Sequence, residues 1–408
     1  RRNFETANQN RNSEKQWVMI GIRESAATLK IANKHTDFVC KEIFNRIDFY
    51  IEIFTILNWL KRKKCSRSEV NEMVIKSASF HKVHSQYKFL INGLFIDNKL
   101  INSRKNIYRI QSFHKLKNPL SNYTTVITEL QILRRNIKKL LLLEFKGDYK
   151  QQIRFYYSIK KKTHSIYDLI PYIIDYKYWF ISLKPGGIWG PYELIQDLNL
   201  NVCPYCNRLY TITVIGGVKN VRPELDHFLP FHEHKLLALS FYNLVPSCDV
   251  CNRTLKSSKS ISYKEYLNPF EENLGHKLMT FSYIPKTYEA SIGNSNDMEI
   301  QIKYTGPVTD LLLKRKVENN IELFKLKEVY QQHVELVGEI LKKRHISGDK
   351  YIDILKSTFK GCVFTDEELF LLAYGNFYKE IDFCKRPMSK LTKDIAFSVG
   401  SIKSGIKS

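Results

Sequence analysis

Acidic residues are in short supply: 41 Asp and Glu stand against 64 Lys and Arg, a net charge of +23 over 408 residues. That excess favours acidic partners, namely DNA, RNA or an anionic surface. Uncharged apolar runs are also missing. The richest apolar stretch, Tyr167 to Leu183, is interrupted by Asp168, Pro171, Asp175 and Lys177, and nothing approaches the ~20 residues that span a bilayer. The first ten residues lack the apolar core of a secretory signal, so a cytoplasmic chain without membrane attachment is expected. Cysteine, with eight residues, is too sparse for a disulfide scaffold. The Gly-x-x-x-x-Gly-Lys spacing of a phosphate loop is absent, since neither Gly361-Cys362 nor Gly375-Asn376 fits it. The residues show no means of consuming ATP.

Hydrophobic residues make up 43% of the chain, enough for a sizeable core and too many for wholesale disorder. The length suggests roughly two to three domains. Residues 1–15 are polar and charged and read as a flexible arm. Residues 16–190 read as a helical domain. Within it Phe44, Ile47, Ile51 and Phe54 recur at helical spacing, as do Ile132, Ile137 and Leu140 to Leu143 between Arg134, Arg135, Lys138 and Lys139. Two basic clusters, Lys61-Arg62-Lys63-Lys64 and Lys160-Lys161-Lys162, are either solvated helix ends or nucleic-acid contacts. Lys184-Pro185-Gly186-Gly187 and Gly190-Pro191 cannot continue a helix and mark a boundary. A different module follows at 191–275. In it the alternating run Leu209 to Val214 and the Gly216-Gly217 pair predict a β-hairpin. Residues 276–408 form a second helical region. Leu323, Leu326, Val329 and Tyr330 share a face there, and Thr365 with Glu368 predicts a capping box. The fold class expected is mainly α with a small α+β module.

Four of the eight cysteines form two Cys-x-x-Cys pairs, Cys203/Cys206 and Cys248/Cys251. Each pair puts two soft thiolates on one tight turn. Together they supply the four sulfurs of a closed, structural zinc site. Cys40, Cys65, Cys362 and Cys384 are scattered. Between the pairs lies Leu225-Asp226-His227-Phe228-Leu229-Pro230. Before the second pair lies Asn243-Leu244-Val245-Pro246-Ser247, and after it Asn252-Arg253 with Lys256 close behind.

In this segment the chain resembles the HNH endonucleases, the ββα-metal nuclease family. Their pattern is a Cys pair, Asp-His-x-x-Pro, Asn-Leu, then a second Cys pair followed by Asn or His and a nearby Lys. The resemblance covers roughly residues 200–270, and Asn252 stands where the name-giving His often does. It implies that Asp226-His227 ends a first strand, Asn243 lies at a second, and Asn252 sits early on a helix. Hydrolysis of a phosphodiester needs a base for water and a positive charge beside the phosphate. His227 is the expected general base, with Asp226 and Asn252 the hard-oxygen ligands of a catalytic Mg²⁺ or Mn²⁺. Asn243 is given the task of pinning the loop that orients His227. Arg222, Arg253, Lys256 and Lys259 are expected to hold phosphates, whereas His232 and His234 read as a solvated loop.

The expected substrate is nucleic acid, DNA above RNA. The alternatives are a non-catalytic, zinc-stabilised nucleic-acid binder and a scaffold protein. The run from Leu225 to Leu244 is also similar to HNH proteins of bacterial anti-phage systems. In the Septu type such a nuclease works beside a separate ATPase, so the resemblance implies an ATPase or other regulator as partner.

Overall fold

The computed structural model describes residues 21–22, 25–62, 122–144, 149–216, 219–271, 278–359, 361 and 363–400. The 1–15 arm, Lys63-Lys64, Cys65, Gly217 and Cys362 lie outside them, as do the side chains of Lys61 and Arg62.

Val39, Ile43, Ile47, Tyr50 and Phe54 follow one another at steps of three to four, so a single apolar stripe runs along α1 (Ala26–Arg62) and is buried. α2 (Tyr123–Leu141) answers it with Val126, Leu130, Leu133, Ile137 and Leu140. Asn122 caps α2 by accepting from the Thr124 and Thr125 amides at 2.9 and 3.4 Å. Part of the basic charge read on α2 is matched by α1: Arg134 forks onto Asp48 at 2.7 and 3.1 Å, and Lys138 reaches Asp37 at 2.9 Å. Both pairs are exposed, so they align the helices more than they stabilise them. α3 (Tyr149–Lys162) buries Tyr156 and Ile159. Of its terminal lysines, Lys160 donates to the Glu233 carbonyl at 3.1 Å, and Lys161 and Lys162 face solvent.

The Pro/Gly boundary is a loop, and Pro191 opens α4 (Pro191–Leu198). β1 (Glu224–His227) and β2 (Leu244–Ser247) pair antiparallel with Asp226 opposite Val245 and His227 opposite Leu244. A seven-residue helix wound in the π manner, α5 (Val250–Lys256), follows at once. The hairpin expected at 209–217 is reduced to isolated bridges, Val202 with Tyr210 and Val214 with Val221. Among the described residues no layer covers Tyr210, Ile212 and Val214, which are exposed, so the alternation gains little by forming a longer ladder.

The region read as helical beyond residue 276 contains a hairpin, β3 (Met279–Pro285) against β4 (Met298–Tyr304). Side chains from helices satisfy its edges: Asp394 accepts from the Phe281 amide at 2.9 Å, while Gln331 accepts from Ile300 and donates to Met298 at 2.9 and 2.8 Å. Of the helices that follow, α6 (Leu311–Leu323), α7 (Leu326–Gln331), α8 (Val334–Ser347) and α11 (Ser389–Ser398) pack against it, while α9 (Tyr351–Thr358) and α10 (Asp366–Tyr374) pack on each other. The face read as continuous from Leu323 to Tyr330 is broken at Lys325, whose φ of 44° turns the chain between α6 and α7. The capping box forms, with Glu368 accepting from the Thr365 amide at 2.8 Å and Thr365 from the Glu368 amide at 3.3 Å.

The architecture is thus mainly helical, with two two-stranded sheets among the described residues. One continuous core draws buried residues from all three sequence regions, from Ile22 through Leu244 to Ala396. No helix among the described residues is long and apolar enough to cross a membrane. One of the charges that interrupt the 167–183 stretch, Asp175, has a structural use. Asp175 meets the buried Arg46 at 3.4 Å, and Arg46 also bonds Glu42 at 2.7 Å and the Tyr172 carbonyl at 2.9 Å beneath the Trp179 ring. Replacing Arg46 by Ala strands a buried carboxylate and is expected to cost about 3–5 kcal/mol. Urea denaturation of the two proteins, followed by tryptophan fluorescence, measures the loss.

Candidate functional site

The first cysteine turn is built by backbone bonds. The Cys203 amide donates to Leu209 O at 2.9 Å and the Asn207 amide to Cys203 O at 2.8 Å. Asn207 takes the left-handed conformation that closes the knuckle, φ 47°. The second turn has the Cys251 amide on the Cys248 sulfur at 3.5 Å and the Asn252 amide on the Cys248 carbonyl at 3.0 Å. All four sulfurs are buried and lie within 4.8 Å of one another, with Cys206 and Cys248 at 4.0 Å. Tetrahedral zinc with Zn–S of about 2.3 Å separates its sulfurs by roughly 3.8 Å. The tetrad therefore fits a metal such as zinc in size, donor type and number, and it has no open position for substrate.

The C-terminal region clamps this knuckle, which nothing local in the sequence announces. Tyr205 stacks on Phe324 at 4.5 Å and Tyr330 donates its hydroxyl to the Cys206 carbonyl at 2.7 Å. Asn207 donates to Phe383 O at 3.1 Å, accepts from the Lys390 amide at 3.2 Å, and its carbonyl accepts from Met388 at 2.8 Å. These partners stand more than a hundred residues away in sequence.

β1, β2 and α5 carry or adjoin the remaining predicted residues, and α5 meets β1 through Lys256 on Asp226 and Arg253 on Glu224. His227, half-buried at the end of β1, places its Nε2 2.8 Å from the Ala238 carbonyl. A carbonyl only accepts, so Nε2 carries the proton, and in the neutral ring Nδ1 holds the free lone pair. Nδ1 makes no hydrogen bond with the described residues. The ring packs edge-on to Tyr176 at 4.3 Å and beside Phe231 at 5.8 Å. Burial there lowers its pKa to about 4, so the imidazole is neutral at physiological pH.

Asn243 immediately precedes β2. Its Oδ1 accepts from the Leu229 amide at 2.7 Å, and its Nδ2 donates to Leu229 O and Leu237 O at 3.2 and 3.1 Å. The 228–238 loop is thereby tied to β2, and with it the Ala238 carbonyl that orients His227. Two more polar contacts come from the N-terminal region: His35 of α1 reaches Leu239 O at 2.9 Å, and Tyr176, in a turn, donates to Leu225 O at 3.0 Å. Nothing local in the sequence points either side chain at a carbonyl so distant along the chain.

Asp226 is buried, with both oxygens engaged. Oδ2 accepts from the Tyr205 hydroxyl at 2.6 Å and Oδ1 from Lys256 Nζ at 2.5 Å. Lys256 also donates to the His227 carbonyl. Expected as a phosphate contact, Lys256 is instead 3% exposed and neutralises Asp226, because an unpaired carboxylate in that position would be costly. Burial lowers its pKa, against the pull of Asp226. Asn252, four residues earlier on α5, is half-exposed, and its side-chain amide makes no hydrogen bond with the described residues.

Of the other cations, Arg253 is exposed but paired with Glu224, and Lys259 is exposed. Arg222 is half-buried, lies against the Tyr192 ring and donates to the Pro223 carbonyl. His232 is exposed, whereas His234 is less solvated than its loop suggests: its Nδ1 meets the Tyr156 hydroxyl at 3.1 Å.

Cys203→Ser or Cys251→Ser is expected to abolish binding of a stoichiometric zinc and to lower the melting temperature by several degrees, since metal affinity and folding of such a turn pair are linked. Elemental analysis and thermal denaturation of wild type and variants check this. No protein-family model, curated protein or solved structure matches the chain.

Proposed function

We propose that this chain is a metal-dependent endonuclease of the HNH type, hydrolysing phosphodiester bonds of nucleic acid, with DNA the foremost substrate. The observation that carries this reading is the tautomer imposed on His227. The Ala238 carbonyl, next in the chain to the Leu237 carbonyl that Asn243 holds, accepts a hydrogen bond from Nε2–H, leaving an unpaired Nδ1 on a neutral ring in a strongly basic protein.

In this reading water gives its proton to His227 Nδ1 as its oxygen attacks phosphorus, and the P–O3′ bond breaks. The oxygens of Asp226 and Asn252 are the proposed hard donors for a divalent cation. Support for the fit comes from the site's own chemistry: Asp226 Oδ1 and the His227 carbonyl already surround a cation, the Lys256 ammonium. When bound, Mg²⁺ or Mn²⁺ supplies positive charge to the phosphate and the departing 3′ oxygen. Asn243 keeps the imidazole in register, and Arg222, Arg253 and Lys259 contribute phosphate contacts. An ATPase partner and a role in anti-phage defence belong to the same proposal and rest on the resemblance alone.

A second reading, a non-catalytic nucleic-acid binder or scaffold, is favoured by one observation: in this conformation Asp226 is neutralised by Lys256 and offers no free oxygen. Supercoiled plasmid, linear duplex and total RNA incubated with Mg²⁺ or Mn²⁺ separate the two. Wild type is expected to cleave, and His227→Ala to lose about 10²–10⁴-fold in rate, the usual worth of a general base, with zinc content unchanged. Asn243→Ala is expected to reduce cleavage through the orientation of His227. A wild type that binds in a salt-sensitive manner without cutting, or a His227→Ala protein that cuts equally well, overturns the nuclease reading.

A further inference from the structure

The Lys256 ammonium sits where the nuclease reading needs a metal ion. It lies 2.5 Å from Asp226 Oδ1 and also bonds the His227 carbonyl, while Tyr205 holds the other carboxylate oxygen. Both members of the pair are 3% exposed. Lys256 lies in the last turn of α5, four residues beyond Asn252, a spacing that in this π-wound helix puts the two side chains on nearly one face. One cradle of oxygens thus receives Lys256 from the face that also carries the unengaged Asn252 amide.

We propose that Lys256 is a resident cation that sets the divalent-metal affinity of this site: Mg²⁺ or Mn²⁺ and the ammonium compete for Asp226 Oδ1 and the His227 carbonyl, and metal binds only as Lys256 swings out. The physical basis is mutual exclusion. Mg²⁺ takes oxygen ligands at about 2.0–2.1 Å in octahedral array, which leaves no room for an ammonium on the same oxygen. Two cations on one carboxylate would also repel strongly in a buried setting. A flexible four-carbon stem makes lysine suited to such an exchange, because its charge can reach solvent without movement of the helix. The unengaged amide of Asn252 supplies an oxygen that only the incoming ion uses. The inference rests on the nuclease reading for the identity of the incoming ion.

The test uses the zinc-loaded full chain with Mn²⁺ as probe. In wild type, amine-reactive labelling read by mass spectrometry is expected to find Lys256 protected without Mn²⁺ and at least about fivefold more reactive at saturating Mn²⁺; continued protection at saturation overturns the proposal. Lys256→Met is expected to bind Mn²⁺ at least about tenfold more tightly by electron paramagnetic resonance titration. Its melting temperature should rise with Mn²⁺ by more than that of wild type, as linkage requires. Asp226→Asn/Lys256→Met, which folds without a stranded charge, should lose the tightened binding. Affinity unchanged in Lys256→Met, or retained in the double variant, also overturns the exchange. Should Lys256→Met not fold, the wild-type labelling decides alone. Plasmid cleavage is scored separately. Mn²⁺-dependent exposure of Lys256 without cleavage defeats the nuclease reading and supports the exchange, while cleavage with Lys256 still protected defeats the exchange only.

Discussion

Two cysteine-bearing turns have to meet for the centre of this molecule to keep its shape. Cys203 and Cys206 lie on a knuckle before β1, Cys248 follows β2 directly, and Cys251 is in the first turn of α5. Bringing the four sulfurs within 4.8 Å of one another closes the intervening chain into a loop. That closure sets β1 beside β2 and delivers α5 to the end of the pair. Each strand is only four residues long, and a two-stranded ladder of that size has little stability of its own in water. The sulfur cluster, and the core packed around it, supply what the ladder lacks.

The flanking regions act on the same centre from opposite sides. From the N-terminal side, Tyr176 donates to the Leu225 carbonyl and sets its ring edge against His227. From the C-terminal side, Tyr330 and the α11 segment hold Cys206 and Asn207. A side chain that must hold one tautomer and one direction gains from this arrangement. The Ala238 carbonyl is positioned by Asn243, the loop carrying it is roofed by His35, and both sit in a core shared by all three regions. Asymmetry of solvation then separates the polar side chains of this centre: Asp226 and Lys256 neutralise one another in the interior, while Asn252 keeps an amide unengaged by the described residues nearer solvent.

Much of this was legible beforehand where the signal is local. The stripe of α1, the Thr365/Glu368 cap, the Pro/Gly break before α4 and the two cysteine turns each depend on residues within a few positions of one another. The β3–β4 hairpin was not legible, because its edges are satisfied by Asp394 and Gln331 from distant helices. The expected ribbon has the right alternation over Leu209 to Val214 but, among the described residues, no layer to pack on, and Tyr210, Ile212 and Val214 are exposed. Lys256 is the sharpest divergence. A basic residue beside a basic motif reads as a phosphate contact, and only the three-dimensional fold turns it inward onto Asp226.

By itself, then, the sequence determined the donor chemistry: four thiolates in two tight turns, an Asp-His pair, and an Asn on either side of the second turn, all within a strongly cationic chain. Spacing along the backbone is enough for that, since turns and helix starts are short-range structures. Tertiary structure decided the state of those groups. Which imidazole nitrogen carries the proton, which carboxylate oxygen is taken and by which cation, and which amide is left without a partner are settled by carbonyls and side chains remote in sequence. A hydrogen bond and a desolvation cost depend on what lies within a few ångströms in space, and the order of residues along the chain does not specify that.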